Sequence, residues 1–537
     1  MHIPIVSLER RPEGRSRQRH ALKGASLCAL ALLAPIALRA QCPDGTPPPC
    51  RAPGPRQAAP VANSVAVLYF DNLSPDSGDA YLAEGITEEV ISRLGDVGRL
   101  TVKSRYAVRR YKGAADVDPT AIGRALGVAY LVTGSVQRGG GRLRVRAELA
   151  RASSGDRLWG QQYERGDGDI LAITEDIASS VVTGVAGRLL PGERRALRAR
   201  PTRNNAAYDH LLRGDLLLAR RTPISVQRAI SEYVAATRLD SNLVSGWARI
   251  ALAYAIWIDW GWSDDGRPAP DSFVTLGLKA ASRALALDSS SSDAWMGWAY
   301  MQLWRSPRTY EGAEAGFRRA VALDPRNAEA WHQLGDMLSY QTRLGEEAEA
   351  YRMALAAEPG RPITLANLAA VLPPREGLAL LDSALAIDPT FLPLYATRFG
   401  VRLMAGDTAG ARSDADALTR FASQGAELQA RADRAKELLQ LRDTAAAFRA
   451  CREVLAALPA TGPIALRLGD SLIPVLVAQA DTAAALDLLE RLPRGAQLWT
   501  FLDLGHLPAP VAANPRVRRV IEDSRPPWEP SAPAPRP

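Results

Sequence analysis

The sequence has few of the residues that most often carry out chemistry. It holds four cysteines and five histidines in 537 residues. His2 and His20 precede an apolar stretch near the N-terminus, and His210, His332 and His506 fall in three separate helical segments. Neither a zinc-type H-E-x-x-H, a G-x-x-x-x-G-K phosphate loop nor a G-x-S-x-G nucleophile turn occurs. We therefore expect no metal, no cofactor and no enzymatic activity.

Lysine is also scarce, and the positive charge is unevenly placed. The formal net charge is +8, but residues 1–40 hold seven Lys and Arg against two Glu, which leaves only +3 for residues 41–537. A surface that binds duplex nucleic acid concentrates Lys and Arg on one face. The charges of 41–537 are mixed, so we predict that nucleic acid is not a partner.

A long hydrophobic run is missing as well. The apolar stretch 25–38 is interrupted by Pro35 and is shorter than the roughly 20 residues of a membrane span. Basic residues up to Lys23 precede it and Ala40 follows it, a pattern typical of a secretory signal. We predict a signal peptide at 1–40, an exported periplasmic or cell-envelope protein, and no stable membrane span after cleavage. The alternative is an uncleaved N-terminal anchor.

Residues 41–63 are rich in Pro, Gly and Ala, which favours a flexible linker. Cys42 and Cys50 flank a Pro-Asp-Gly turn there and would be able to close a short disulfide loop in an oxidising compartment. Two free thiols are the alternative. At the other end, the Pro-rich stretch 521–537 predicts a disordered tail.

Residues 64–190 alternate between strand and helix patterns. An apolar run at 65–70 predicts a buried strand, and apolar residues at every second position of 143–149 predict a half-exposed strand. The order β-α-β-α-β-β-(β)-α indicates a mixed sheet with helices packed on it, an α/β sandwich domain. Asp71 and Asn72 follow the first strand, where open α/β sheets often bind ligands. They form a candidate ligand cleft, with turn formation as the alternative.

Residues 204–520 carry a repeat that ends in Ala-x-x-Leu-Asp or a close variant. Its acidic positions are 48, 36, 34 and 30 residues apart. Two of these spacings are close to the 34-residue period of stacked helical hairpins, and an insert at 258–273 lengthens the first. The spacing predicts an α-solenoid. The acidic positions are Asp240, Asp288, Asp324, Glu358 and Asp388.

One unit of this repeat resembles the tetratricopeptide (TPR) family. Its first helix has the W-x-x-L-G spacing, and Glu347 stands where the family has a small residue. The matching residues are Trp331, Leu334, Gly335, Tyr351, Ala354 and Pro359. The resemblance implies a protein or peptide partner on the concave helix face. By the family's spacing, Met296, Tyr300, His332 and Asp336 would line that partner groove. The alternative for each of them is an ordinary solvated helix face.

The first domain resembles the TolB amino-terminal-like or FlgO-like module. The motifs that carry this resemblance are 65–70, 72–74, 81–87, 125–128 and 131–136, with Gly155 and Trp159. The module often precedes TPR arrays attached to cyclase, kinase or winged-helix output domains, and we identify no output domain of that kind in the sequence. The resemblance implies an extracytoplasmic sensing or assembly module without catalytic residues.

These patterns predict a two-part α+β protein, with an α/β domain at 64–190 followed by a TPR α-solenoid at 204–520. The predicted function is a non-catalytic exported scaffold that binds a protein or peptide partner in the cell envelope. One alternative is a small-molecule sensor that uses the cleft at Asp71 and Asn72. A second is an enzyme with an unrecognised site.

Overall fold

The computed structural model describes residues 61–525 except for 114–117, 167–168, 261–269, 306–309, 423–426, 462–463, 495–497 and 499–508. The predicted signal 1–40, Cys42, Cys50 and nearly all of the predicted linker lie outside the described residues, as does most of the tail. The last described helix reaches Ser524 and so enters the segment predicted as the tail.

A mixed sheet forms the centre of the first domain, as predicted. Its strand order is β3-β1-β4-β5-β6, and β2 pairs with the far end of β4. Strand β4 pairs in parallel with β1 and β2 and antiparallel with β5. The strands are β1 (Val61–Val67), β2 (Asp71–Asn72), β3 (Thr101–Val102), β4 (Val128–Gly139), β5 (Arg142–Arg151) and β6 (Arg157–Gly166).

Helices cover both faces of this sheet. The alternating apolar residues of β5 are buried in the same core as α1 and α4, while α3 packs on the opposite face against Leu131 and Ala152. Helix α3 begins after the side-chain cap of Asp118 and ends at Gly127 in the left-handed conformation. The helices of this α/β module are α1 (Ala80–Gly95), α2 (Arg105–Arg109), α3 (Pro119–Leu126), α4 (Ile170–Ala186) and α5 (Pro191–Leu197).

Within the described ranges, sixteen helices then pair into eight hairpins, which form an α-solenoid of TPR type. The first five pairs are α6 (Asn205–Ala219) with α7 (Pro223–Leu239), α8 (Val244–Asp259) with α9 (Pro270–Leu287), α10 (Ser292–Arg305) with α11 (Glu311–Leu323), α12 (Ala328–Tyr340) with α13 (Leu344–Ala357), and α14 (Pro362–Val371) with α15 (Pro374–Ile387).

Three more hairpins continue beyond residue 392, where the sequence motif is weak. They are α16 (Leu392–Met404) with α17 (Thr408–Arg420), α18 (Glu427–Gln440) with α19 (Thr444–Ala457), and α20 (Leu466–Ala478) with α21 (Thr482–Glu490), followed by α22 (Ala509–Ala512) and α23 (Pro515–Ser524). The apolar residues of α18 to α21 form a second core together with those of α22 and α23, whereas α16 and α17 belong to smaller clusters.

The repeat motif has a definite structural role in the turns between hairpins. The acidic side chain that ends a hairpin accepts a hydrogen bond from the backbone N–H two residues later, at Asp240, Asp288, Asp324 and Asp388. The tryptophan in the first helix of the following hairpin donates its indole N–H to the backbone carbonyl six residues earlier, at 2.9–3.0 Å. The acid and the tryptophan therefore hold the turns at Asp240, Asp288 and Asp324 together. These tryptophans are Trp247, Trp295 and Trp331.

The solenoid is wound tightly enough for distant hairpins to touch. Arg221, in the turn after α6, lies 3.3 Å from Glu329 of α12. The guanidinium of Arg467 in α20 lies 5.8 Å from the ring centre of Trp260, at the end of α8. The inner faces of the hairpins are therefore largely covered by one another.

Candidate functional site

Three of the four residues predicted to line a partner groove are buried. Met296, Tyr300 and His332 are 0–3% exposed, and His332 lies 3.1 Å from the hydroxyl of Thr364 in the next hairpin. Tyr300 packs on Phe317 of its own hairpin, with ring centres 6.2 Å apart. These three side chains therefore face the interior instead of an open groove, and of the four only Asp336 keeps partial exposure.

Asp336 is the centre of a polar cluster inside the fourth and fifth hairpins. Its carboxylate accepts hydrogen bonds from the Tyr351 hydroxyl at 2.6 Å and from the Asn367 amide at 2.7 Å, and it lies 3.3 Å from Nε2 of His332. Burial lowers the pKa of His332, so the imidazole favours the neutral form. The cluster fixes the contact between the two hairpins.

Glu347 lies in the same cluster, at the position where the TPR family has a small residue. Its side chain is buried, and one carboxylate oxygen has no hydrogen-bond partner. Burial, reinforced by the negative charge of Asp336, raises the pKa of Glu347 to about 7. This carboxyl group titrates near neutral pH inside the array.

The two residues of the predicted ligand cleft lie in β2. Asp71 is exposed, and the Asn72 side chain accepts a hydrogen bond from the backbone N–H of Ser74 at 3.1 Å. A hydrogen bond of this kind is typical of a turn, which is the alternative given above for Asn72. Binding of a ligand at this position stays a prediction.

The short helix α2, which the sequence patterns did not indicate, contacts the ends of two hairpins in the array. The hydroxyl of Ser104, its capping residue, donates to the carbonyl of Pro359 at 2.5 Å. Nε of Arg105 lies 2.9 Å from the Glu358 carboxylate, and Arg109 lies 3.9 Å from Asp388. Two of the acidic residues that define the repeat are therefore paired with arginines of the α/β module.

These contacts belong to a longer chain of alternating charges, which we call the ionic chain. Glu88 in α1 accepts from the Tyr69 hydroxyl at 3.1 Å and pairs with Arg105 at 3.0 Å. From Arg105 the chain continues through Glu358 to Arg361 at 3.2 Å, and Arg361 pairs with Glu329, the partner of Arg221. The ionic chain consists of Tyr69, Glu88, Arg105, Glu358, Arg361, Glu329 and Arg221.

At the array end of the ionic chain, Glu329 pairs with both Arg361 and Arg221. Burial alone would raise the pKa of Glu329, but Arg361 and Arg221 outweigh that effect and hold the pKa well below its usual range. Arg361 is 4% exposed. Glu329 therefore stays ionised at neutral pH, and the pair forms a fixed charged contact.

A second contact joins the module to the first hairpin, and it is largely apolar. Leu82 and Ile86 of α1 share one core cluster with Tyr208 and Leu212 of α6. At its edge, the Tyr81 hydroxyl donates to Asp209 at 2.8 Å. The module is thus packed firmly on the first hairpin and held by polar contacts at the fourth and fifth.

Among the described residues, no group of three or more His, Cys, Asp or Glu side chains is arranged to hold a metal ion. The described part also contains no helix with the length and apolarity that crossing a bilayer requires. What the arrangement offers chemically is recognition by charge and shape along an extended protein surface.

The fold defines a class of protein: a TPR-type α-solenoid that carries an α/β module on its first hairpins. No protein-family model matches the chain. A curated protein of Rhizobium meliloti (strain 1021), named "Putative adenylate cyclase 3", is 32% identical over 205 residues, which are 38% of this chain and 35% of that protein. The chain thus matches about a third of the relative's length. This relative contradicts our expectation that the chain is not an enzyme.

Solved structures similar to the chain include TPR proteins. TTC0263 of Thermus thermophilus aligns with 37% of this chain and 100% of its own at 18% identity, with a TM-score of 0.31. PilF of Pseudomonas aeruginosa aligns with 45% of this chain and 98% of its own at 19% identity and a TM-score of 0.31. Yeast Tom70 aligns with 60% of this chain and 74% of its own at 14% identity, with a TM-score of 0.39. The TPR-type fold is assigned from the arrangement of the hairpins in this chain.

Proposed function

We propose that the chain is an exported protein-interaction scaffold, in which the α/β module controls access of a protein or peptide partner to the solenoid. The observation that carries this proposal is the docking of α2 on the hairpin ends at Glu358 and Asp388. A partner that binds these turns has to displace α2. Partner binding and the position of the module are therefore coupled.

The proposed partner-binding surface is the row of turns between hairpins, not the inner helix face. The inner face is covered, since Met296, Tyr300 and His332 are buried. The turns at Asp240, Asp288 and Asp324 are held by acid and tryptophan hydrogen bonds. The turn at Asp388 is held by its carboxylate and by Tyr395, whose hydroxyl donates to the carbonyl of Pro389 at 2.9 Å. These turns present backbone groups in a fixed geometry. A rigid surface loses little conformational entropy when a partner binds.

A capture experiment with the full chain tests this function. Crosslinked capture from the native cell envelope is compared between the unmodified chain and the double variant Arg105→Ala, Arg109→Ala, which frees the turns. The control is Arg142→Ala, Arg146→Ala, which removes the same charge from the exposed face of β5. We expect the α2 variant to retain more of a defined envelope partner than the control does. Equal retention would contradict control by the module, and the absence of a partner would contradict the scaffold.

The same proposal includes the export of the protein and the relation of its α/β module to the TolB amino-terminal-like or FlgO-like family. N-terminal sequencing of the protein recovered from an envelope fraction should begin at Gln41 if the signal is removed. A protein that begins at Met1 and sediments with membranes would indicate the uncleaved anchor instead. The TolB amino-terminal-like or FlgO-like resemblance supports an envelope location for the module.

Nucleotide cyclisation is a second candidate function, favoured by the name of the Rhizobium meliloti relative. It is tested by incubating the purified full chain with ATP and Mg²⁺ or Mn²⁺ and measuring cyclic AMP. Formation above that of the heat-denatured chain would support the activity. A rate equal to that control, for a chain shown to be folded, would contradict it.

A further inference from the structure

The junction between the module and the array carries an unusual concentration of positive charge. Residues 188–203 contain six arginines and one glutamate, a net charge of +5, whereas the whole of 41–537 carries only +3. The rest of 41–537 is therefore slightly acidic. The arginines are Arg188, Arg194, Arg195, Arg198, Arg200 and Arg203.

Most of this charge is not neutralised by nearby acids. Within the described part of the chain, Arg194 and Arg195 form no ion pair, and Arg198 and Arg200 share the single carboxylate of Glu175, at 3.4 and 3.0 Å. Glu193, the acid of the segment itself, is occupied by Arg99 at 2.6 Å. Local positive charge therefore remains available to a ligand.

The sequence of α5 places three of these arginines on one face. Positions 191, 194, 195, 198 and 199 follow the spacing of a single helical stripe. The side chains of this stripe line a shallow, solvent-open groove of about 490 Å³. The lining residues are Pro191, Arg194, Arg195, Arg198 and Ala199.

The groove is built on a fixed support. Leu197, on the opposite face of α5, is 1% exposed, and its carbonyl accepts a hydrogen bond from the buried Arg93 of α1. The preceding turn is held by Arg99, which also donates to the carbonyl of Arg188 at 2.8 Å. The arginine face is thus held rigidly toward solvent.

From this geometry we infer that the α5 groove is a binding site for a phosphate-bearing ligand with two or more negative charges. Three guanidinium groups offer several pairs of N–H donors, which match the oxygens of a phosphate better than those of a lone carboxylate. The groove is larger than one phosphate, so it has room for a diphosphate or a phosphate ester. The same chemistry exists in soluble phosphates and in lipid headgroups.

Binding by the full chain tests the inference with two probes. Inorganic pyrophosphate is titrated by calorimetry, and vesicles of phosphatidylglycerol in phosphatidylcholine are used in flotation. Both are measured at about 50 mM and about 200 mM salt, because a charge-driven contact weakens as salt rises. Binding of pyrophosphate with no flotation assigns a soluble ligand, and flotation above that of phosphatidylcholine alone assigns a headgroup.

The variant Arg194→Gln, Arg195→Gln, Arg198→Gln should lose at least about tenfold in affinity. The matched control Arg142→Gln, Arg144→Gln, Arg146→Gln removes the same charge from β5 and should stay within about twofold of the unmodified chain. Equal losses in the two variants would overturn the inference, since net charge would then explain the binding. It is also overturned if neither probe binds at the lower salt, or if only polyglutamate binds, which would indicate an acidic protein partner.

Discussion

Glu347 gives the array a dependence on pH. Its pKa is raised to about 7 in the folded chain, mainly by burial, and it lies near the ordinary value for glutamate when the chain is unfolded. Folding therefore favours the protonated form of Glu347 over the ionised form. Its contribution is full below about pH 4.5 and is lost as the pH rises to about 7, by about 3 kcal/mol at most.

The change Glu347→Gln should remove this dependence. We expect the unfolding free energy of the variant to fall less between pH 5 and pH 7.5 than that of the unmodified chain, as measured by urea denaturation. Glu346→Gln is the control, because Glu346 is exposed, pairs with Arg343 and has a lowered pKa. Parallel pH profiles for the unmodified chain and the Glu347 variant would contradict the assignment.

Gly335 tests the close contact inside a TPR hairpin. A Cβ atom added there would lie 2.5 Å from the ring of Tyr351, whose hydroxyl holds Asp336. We expect Gly335→Ala to lower the unfolding free energy by about 1–3 kcal/mol through overpacking. Gly400 lies in the interior of α16 with no atom within 4 Å of the added Cβ, so Gly400→Ala should raise stability by about 0.5–1 kcal/mol. Thermal denaturation that shifts both variants in the same direction would contradict this account.

At the scale of single residues, the sequence predicted the positions of those that act within their own hairpin. Trp331, Gly335 and Tyr351 hold the places that the TPR spacing predicts. The spacing did not predict that the acid closing each hairpin would cap a turn, although an Asx turn before Asn, Ser, Arg or Thr is a local signal. It also placed Tyr300 and His332 in an open groove, whereas Tyr300 packs on Phe317 of its own hairpin and His332 contacts Thr364 of the next hairpin.

Among the elements, the sheet and the hairpins were predictable and α2 was not. The apolar run at 65–70 and the alternation at 143–149 marked strands that the structure contains as parts of β1 and β5. Helix α2 has five residues with only Val108 fully buried, too short for a periodic pattern. A capping Ser104 was the one local signal, and its meaning depends on Glu358, which lies more than 250 residues later in the chain.

The contact of α2 with the array should have a measurable coupling energy. In a double-mutant cycle with Arg105→Ala and Glu358→Ala, we expect a coupling of about 0.5–2 kcal/mol, since the pair is partly buried. The cycle of Arg318→Ala and Glu346→Ala is the control, because that pair is exposed on the array alone, and it should give less than about 0.5 kcal/mol. Chemical denaturation measures both. Equal coupling in the two cycles would mean that α2 adds no more than a surface ion pair.

At the scale of the whole molecule, the repeat period predicts stacking but not winding. Each hairpin must bury its apolar face on a neighbour, which makes a solenoid necessary. The contacts of Arg221 with Glu329 and of Trp260 with Arg467 set how tightly it winds, and they join residues that share no local pattern. The division of the module's contacts into an apolar part at α6 and a polar part at the fourth and fifth hairpins arises in the same way.

That division predicts that the module opens at one end only. Reversing two charges, with Arg105→Glu and Arg109→Glu, places acids against Glu358 and Asp388 and should release α2 from the array. Hydrogen exchange of the backbone amides at 105–109 and 358–361 should then quicken by about tenfold or more, as expected for a loss of about 1.4 kcal/mol. Amides of α6, and those of α1 outside the turn that carries Glu88, should keep their protection, because the packing of Leu212 against Gly85 is apolar and unchanged. The turn at Glu88 is excepted because it loses its pair with Arg105. Protection in α18 to α21 serves as the check for folding.

Unchanged exchange at both segments would mean that these ion pairs do not hold the module closed. Faster exchange in α1 and α6 as well would mean that the module is held as a single unit.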